Sequence, residues 1–127
     1  MLDHYRAEAA AARIASDLDW ARQHARRTGK NQPVSFTLPG SYVLTGMSDP
    51  DHPSQTYSVD LTQTQYDVTI VSASFDANLD VTFDMYGHPL AGSPLAPLAA
   101  DGTVVISSGS ESRTITVNAT TGKVSVS

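Results

Sequence analysis

The chain has 127 residues, with 8 Lys and Arg against 13 Asp and Glu, a net charge of −5 and no cysteine. That length buries a core without covalent staples, and the missing cysteines exclude a disulfide framework, thiolate metal sites and a cysteine nucleophile. The charge is uneven: Arg6, Arg13, Arg22, Arg26, Arg27 and Lys30 crowd the first thirty residues, whereas residues 31–127 carry two bases against nine acids, a balance of −7 that opposes wrapping of a nucleic-acid backbone.

Ala7, Ala11, Ile14, Leu18, Ala21 and Ala25 succeed one another at gaps of 4, 3, 4, 3 and 4, which is one stripe of an amphipathic helix. Asp3 and Glu8 near its start, Arg22, Arg26 and Arg27 near its end, and Gly29 beyond place the stop near Thr28. A helix from Asp3 to Thr28 runs roughly 40 Å, whereas an average strand spans about 17–20 Å. Its N-terminal half is therefore expected to overhang the sheet, with Ala9 to Ala12 helical on propensity alone. Met1 leads straight into this pattern, with no signal peptide and no apolar run approaching twenty residues, so the chain is expected to be a soluble piece trimmed from a longer protein.

After Gln32 the period changes to two. Val34, Phe36 and Leu38 alternate with Ser35 and Thr37, and Tyr42 to Leu44 follow a Pro-Gly turn, predicting a hairpin. Residues 46–55, GMSDPDHPSQ, are expected to form a loop, followed by strands at Tyr57–Leu61, Asp67–Ser72 and Leu79–Asp84. Gly87–Gly102 is expected to be an irregular surface loop long enough to make contacts. Thr103–Ser107, Arg113–Asn118 and Lys123–Val126 read as three strands, with Ile115, Val117, Val124 and Val126 sharing an inward face and Gly122 supplying the positive φ of the last turn. The expected architecture is α+β: a single domain over 1–127, with residues 1–30 as a helix packed on antiparallel sheet from residues 31–127.

No catalytic constellation emerges. His4, His24, His52 and His88 have neither a two-His helical spacing nor a carboxylate at motif distance, and read as surface residues. Gly92–Pro94 lacks the second glycine of a nucleophile elbow, Ser107–Ser110 reads as a hairpin turn, and no glycine-rich phosphate loop precedes the helix. Asp49 and Asp51 offer two oxygen ligands for Ca²⁺, yet Asp-Pro pairs favour a turn without any ion. The basic helix end complements the macrodipole and can pair with Asp17 and Asp19. Trp20 lies off the apolar stripe, near Arg13, Asp17, His24 and Arg27, so either a loop folds over it or it anchors a partner.

Three stretches, taken in this order, resemble the minor pseudopilins and minor type IV pilins known as the GspH/FimT type. ARIASDLDWARQHARRTGK is similar to the distal half of the pilin helix. VTFDMYGHPL is similar to the F-x-x-x-G-x-P segment, met by Phe83, Gly87 and Pro89. RTITVNATTGKVSV is similar to the closing hairpin, matched by Ile115, Val117, Asn118, Thr121, Gly122 and Val124. These are fold residues rather than catalytic ones. The resemblance implies a pilin-like fold and a non-enzymatic assembly subunit without cofactor, whose full form carries a leader, a methylated N-terminus and an apolar helix in the inner membrane, with this domain in the periplasm.

The implied role is polymerisation with other pseudopilins in a type II secretion pseudopilus. Ala7, Ala11 and Ile14 on the helix, Trp20, and Tyr86 and His88 on the following loop are the expected subunit contacts. A minor type IV pilin serving assembly, adhesion or DNA uptake is the alternative; with only Arg113 and Lys123 near the C-terminus, a nucleic-acid partner is not expected. A secreted carbohydrate-binding module, stacking sugars on Trp20, Tyr57, Tyr66 and Tyr86, is the third reading.

Overall fold

The computed structural model describes residues 2–38, 40–49, 52–62, 68–76, 78–92 and 95–127. A helix, α1 (Leu2–Thr28), leads into ten strands: β1 (Gln32–Thr37), β2 (Ser41–Asp49), β3 (His52–Asp60), β4 (Thr69–Ser74), β5 (Asp80–Phe83), β6 (Pro89–Ala91), β7 (Ala96–Pro97), β8 (Gly102–Ser108), β9 (Glu111–Val117) and β10 (Val124–Val126). They form two antiparallel sheets, ordered β3-β2-β1-β5-β6-β7 and β10-β9-β8-β4. The helix packs on both, against β1 and β5 of the larger sheet and β8, β9 and β10 of the smaller. No helix among the described residues is long and apolar enough to cross a membrane.

The six stripe residues, Ala7, Ala11, Ile14, Leu18, Ala21 and Ala25, are all buried, joined by Ala10. All but Ala7 meet Val34, Leu44, Val81 and Phe83 of the larger sheet and Val104, Ile106, Ile115 and Val117 of the smaller in one apolar core. Phe36 stacks on Phe75 at 5.9 Å between ring centroids and joins the layers away from the helix. The helix ends where expected, with the Gly29 amide donating to the Ala25 carbonyl at 2.9 Å.

The expected overhang does not occur. Ala7 is fully buried, and Arg113 of β9 reaches Glu8 at 3.3 Å, so the sheet follows the helix to its second turn. Alanine explains this: with no side chain beyond Cβ, the buried positions of the N-terminal half of the helix sit directly on the strand layer.

Three further expectations change. Residues 46–55 are not a loop, because β2 continues to Asp49 and β3 starts at His52, with register shifts between Leu44 and Asp49. The Gly, Ser, Asp and Pro of this segment give no apolar alternation, so periodicity does not reveal the ribbon. Gly87–Gly102 contains β6 and β7, which extend the larger sheet and bury Pro89 and Ala91; Pro97 is tolerated because β7 is an edge strand. Val126 pairs with Ile115 but is 44% exposed, because β10 is the outermost strand of its sheet, while Val124 is half-buried.

Candidate functional site

The two glycine turns of the closing segments are built alike. Asp84, just after β5, accepts the backbone N–H groups of Tyr86 and His88 on Oδ1, both at 2.9 Å. Asn118, just after β9, accepts those of Thr120 and Thr121 on Oδ1 at 2.8 and 3.0 Å. Each turn is completed by a glycine with positive φ, Gly87 at 84° and Gly122 at 77°. Phe83, Ile115 and Val117, which lead into these turns, are fully buried.

Both turns then close on the helix and on each other. A Cβ on Gly122 would lie 2.2 Å from the Gly87 carbonyl oxygen and 3.1 Å from Cδ of Arg22. A Cβ on Gly87 would lie 3.0 Å from Cδ of Arg26 and 3.1 Å from Cγ of Arg22. The aliphatic stems of Arg22 and Arg26 thus pack in a space kept open by two missing side chains. Segments 35 residues apart in sequence form one junction against the last turns of α1.

A second junction ties α1 to the β2–β3 ribbon. Asp17 is buried on the helix beside the apolar stripe. Tyr42 Oη donates to its Oδ2 at 2.5 Å, Tyr57 Oη to its Oδ1 at 3.0 Å, and Arg13 Nε to Oδ2 at 3.1 Å. Arg13 Nη2 also donates to Tyr57 Oη at 2.6 Å, which closes the network. Every member has a partner, so the carboxylate is compensated within the low-dielectric layer under the ribbon.

Burial holds the Tyr42 phenol far above its ordinary range, and the Asp17 charge and hydrogen bond act in the same direction. Tyr57 is also raised, chiefly by burial, with Arg13 opposing. A phenol raised on folding contributes fully below the unfolded value of about 10, and that contribution is lost as pH climbs above it. Denaturant titrations are expected to show stability falling above about pH 10, by up to roughly 1.4 kcal/mol per pH unit for Tyr42. Tyr42→Phe should remove that share of the slope; an unchanged alkaline limb would refute the assignment.

The remaining expected site residues separate into buried and exposed groups. Ala7, Ala11 and Ile14 face this chain's own sheets and are spent in its core, so they are not subunit contacts: the small-residue stripe serves close helix–sheet packing. Trp20 is half-buried and meets Tyr57 edge-on, with centroids 5.1 Å apart, so the β3 strand rather than a loop covers it. Tyr86 is 68% exposed and His88 is exposed beside it, their rings 6.3 Å apart. His24, expected at the surface, is half-buried, with Nδ1 enclosed.

Asp49 closes β2, with only its backbone described, and Asp51 and Tyr66 lie outside the described residues. Among the described residues no group of three His, Asp or Glu side chains converges as a metal site. Sequence reasoning missed the Asp17 network. Its signal was an acid bordering the apolar stripe with Arg13 four residues before it, but that spacing equally describes a solvated helix pair.

The chain matches the family described as type II transport protein GspH over residues 10–121, a span that includes the Asp17 network and the Asp84 turn. No curated protein matches it. Its fold is similar to that of the type IV minor pilin FimU of Pseudomonas aeruginosa strain PAO1 in two crystal forms. In the first, space group P65, the TM-score is 0.65 at 15% identity, covering 94% of this chain and 91% of that one. In the second, space group P21, it is 0.69 at 14% identity, covering 98% and 90%.

Proposed function

Because the chain belongs to the type II transport protein GspH family, we propose that it serves as a non-enzymatic subunit of a type II secretion pseudopilus, working by assembly with other pseudopilins. Family and fold make it a pilin-like pseudopilus or pilus subunit. In the proposed setting an apolar segment continuous with α1 holds the full protein in the inner membrane, its mature N-terminus is methylated, and this domain stands in the periplasm. The match over residues 10–121 carries the reading. The geometry supports it, since both junctions fasten a long helix to the sheets. Neighbours are then met by surfaces away from the core, and the Tyr86–His88 turn, with Met85 47% exposed beside it, is the first of these.

A second reading, a minor type IV pilin, is favoured by the fold similarity to FimU. Deleting the gene in its native host separates the two. Loss of extracellular enzymes from the medium with surface motility retained is expected for the secretion role, and the converse moves the protein to a pilus. If neither changes, the assembly reading fails.

A further inference from the structure

The last turns of α1 carry three arginines, of which Arg22 alone has an ion pair among the described residues, with Asp19. Arg22 Nε and Nη1 are enclosed without a hydrogen-bond acceptor. Its ion-pair partner, Asp19, holds Oδ1 3.9 Å from Nη1, beyond hydrogen-bond reach, while its Oδ2 accepts from Gln23 at 2.7 Å. Arg26 and Arg27 make no ion pair among the described residues, and together with Gln23 they line an open cavity of about 300 Å³.

The aliphatic stems of Arg22 and Arg26 converge on Gly87. Enclosed, unused donors are unfavourable in the isolated domain, and a carboxylate arriving from outside would relieve that cost. The planar guanidinium forks suit two-point capture of a carboxylate. Exposed Tyr86 and Met85 lie on the same Gly87 turn, and Arg, Tyr and Met are the residues enriched in buried interface centres.

We propose that Arg22, Gln23, Arg26 and Arg27 form a carboxylate-binding site that receives acidic side chains of a neighbouring pilin-like subunit. The inference rests on the assembly reading above. Charge complementarity selects the occupant: residues 31–127 of this chain carry a balance of −7, which repels a continuous polyanion such as duplex DNA. The same balance shows how acidic the strand-bearing part of such a subunit can be.

The test uses the full-length protein in its native host, with a benzophenone amino acid at Gln23 in one strain and at Tyr5 in another. Expected at Gln23 is a light-dependent adduct to a pilin-like subunit, mapped by mass spectrometry to an Asp- or Glu-bearing peptide. Arg26→Gln with Arg27→Gln, which keeps two of the three stem methylenes and removes the charge, should lower adduct yield about tenfold at unchanged protein level. Replacing the mapped acid by Lys in the partner should lower it equally, and pairing that change with Arg26→Glu and Arg27→Glu should restore it. Adducts to pilin-like neighbours from Tyr5 but not from Gln23 would overturn the site and leave the assembly reading intact. Adducts to nucleic acid or lipid at Gln23 would overturn the site as well, and adducts to no pilin-like protein from either position would overturn the assembly reading itself.

Discussion

Gly122→Ala is expected to cost about 3 kcal/mol of stability and to lower the melting temperature by roughly 10 °C. Two penalties add. A left-handed backbone is strained for any residue with a Cβ, which accounts for about 1 kcal/mol. The new methyl also falls 2.2 Å from the Gly87 carbonyl oxygen, a backbone atom fixed by its own turn, so relief requires the Asp84 and Asn118 turns to part. Gly29→Ala is the control, because its φ of 70° is similar and nothing lies within 4 Å of the added carbon. It should show the conformational penalty alone. Equal losses for the two variants in urea denaturation would mean that the turns do not press on each other.

Asp17→Ala is expected to cost a similar amount, about 3 kcal/mol, for a different reason. It removes no apolar contact of consequence, but it strands Tyr42 Oη in the core with no acceptor and frees Arg13 to turn toward water. Tyr42→Phe should cost about 1.5 kcal/mol, since the carboxylate keeps the Tyr57 and Arg13 donors. The double variant should cost about 1.5 kcal/mol less than the sum, because a phenylalanine leaves no hydroxyl to strand. Strict additivity in a double-mutant cycle would show that the pair is not coupled.

The helix was legible in the sequence because its six apolar positions keep a strict 4-3-4-3-4 spacing, which only one helical face satisfies. The last hairpin was legible for a similar reason: alternation on both sides of a glycine admits few alternatives. What the alanine stripe would pack against was not legible, because a row of small residues suits a neighbouring subunit and this chain's own strands equally. Ala7 and Ala11 therefore read as contacts and proved to be core. Asp17 was hidden by distance along the chain: its two hydroxyl partners lie 25 and 40 residues away, on strands that were legible without their contact to the helix. The proximity of Gly87 and Gly122 was equally out of reach, although each was identifiable as a turn by itself.

The attachments of α1 are spaced along it: the Glu8–Arg113 pair, the Asp17 network, and the Arg22–Arg26 stems in the glycine junction. From Glu8 to Arg26 they cover roughly 27 Å of helix at about 1.5 Å per residue. A force drawn along the helix axis would therefore load all three at once, in shear, instead of opening them one after another as in peeling. Resistance of that kind sums over the attachments, so the strand layers would follow the helix as it is pushed or pulled, and motion delivered at one end would reach the Tyr86 turn with little slack.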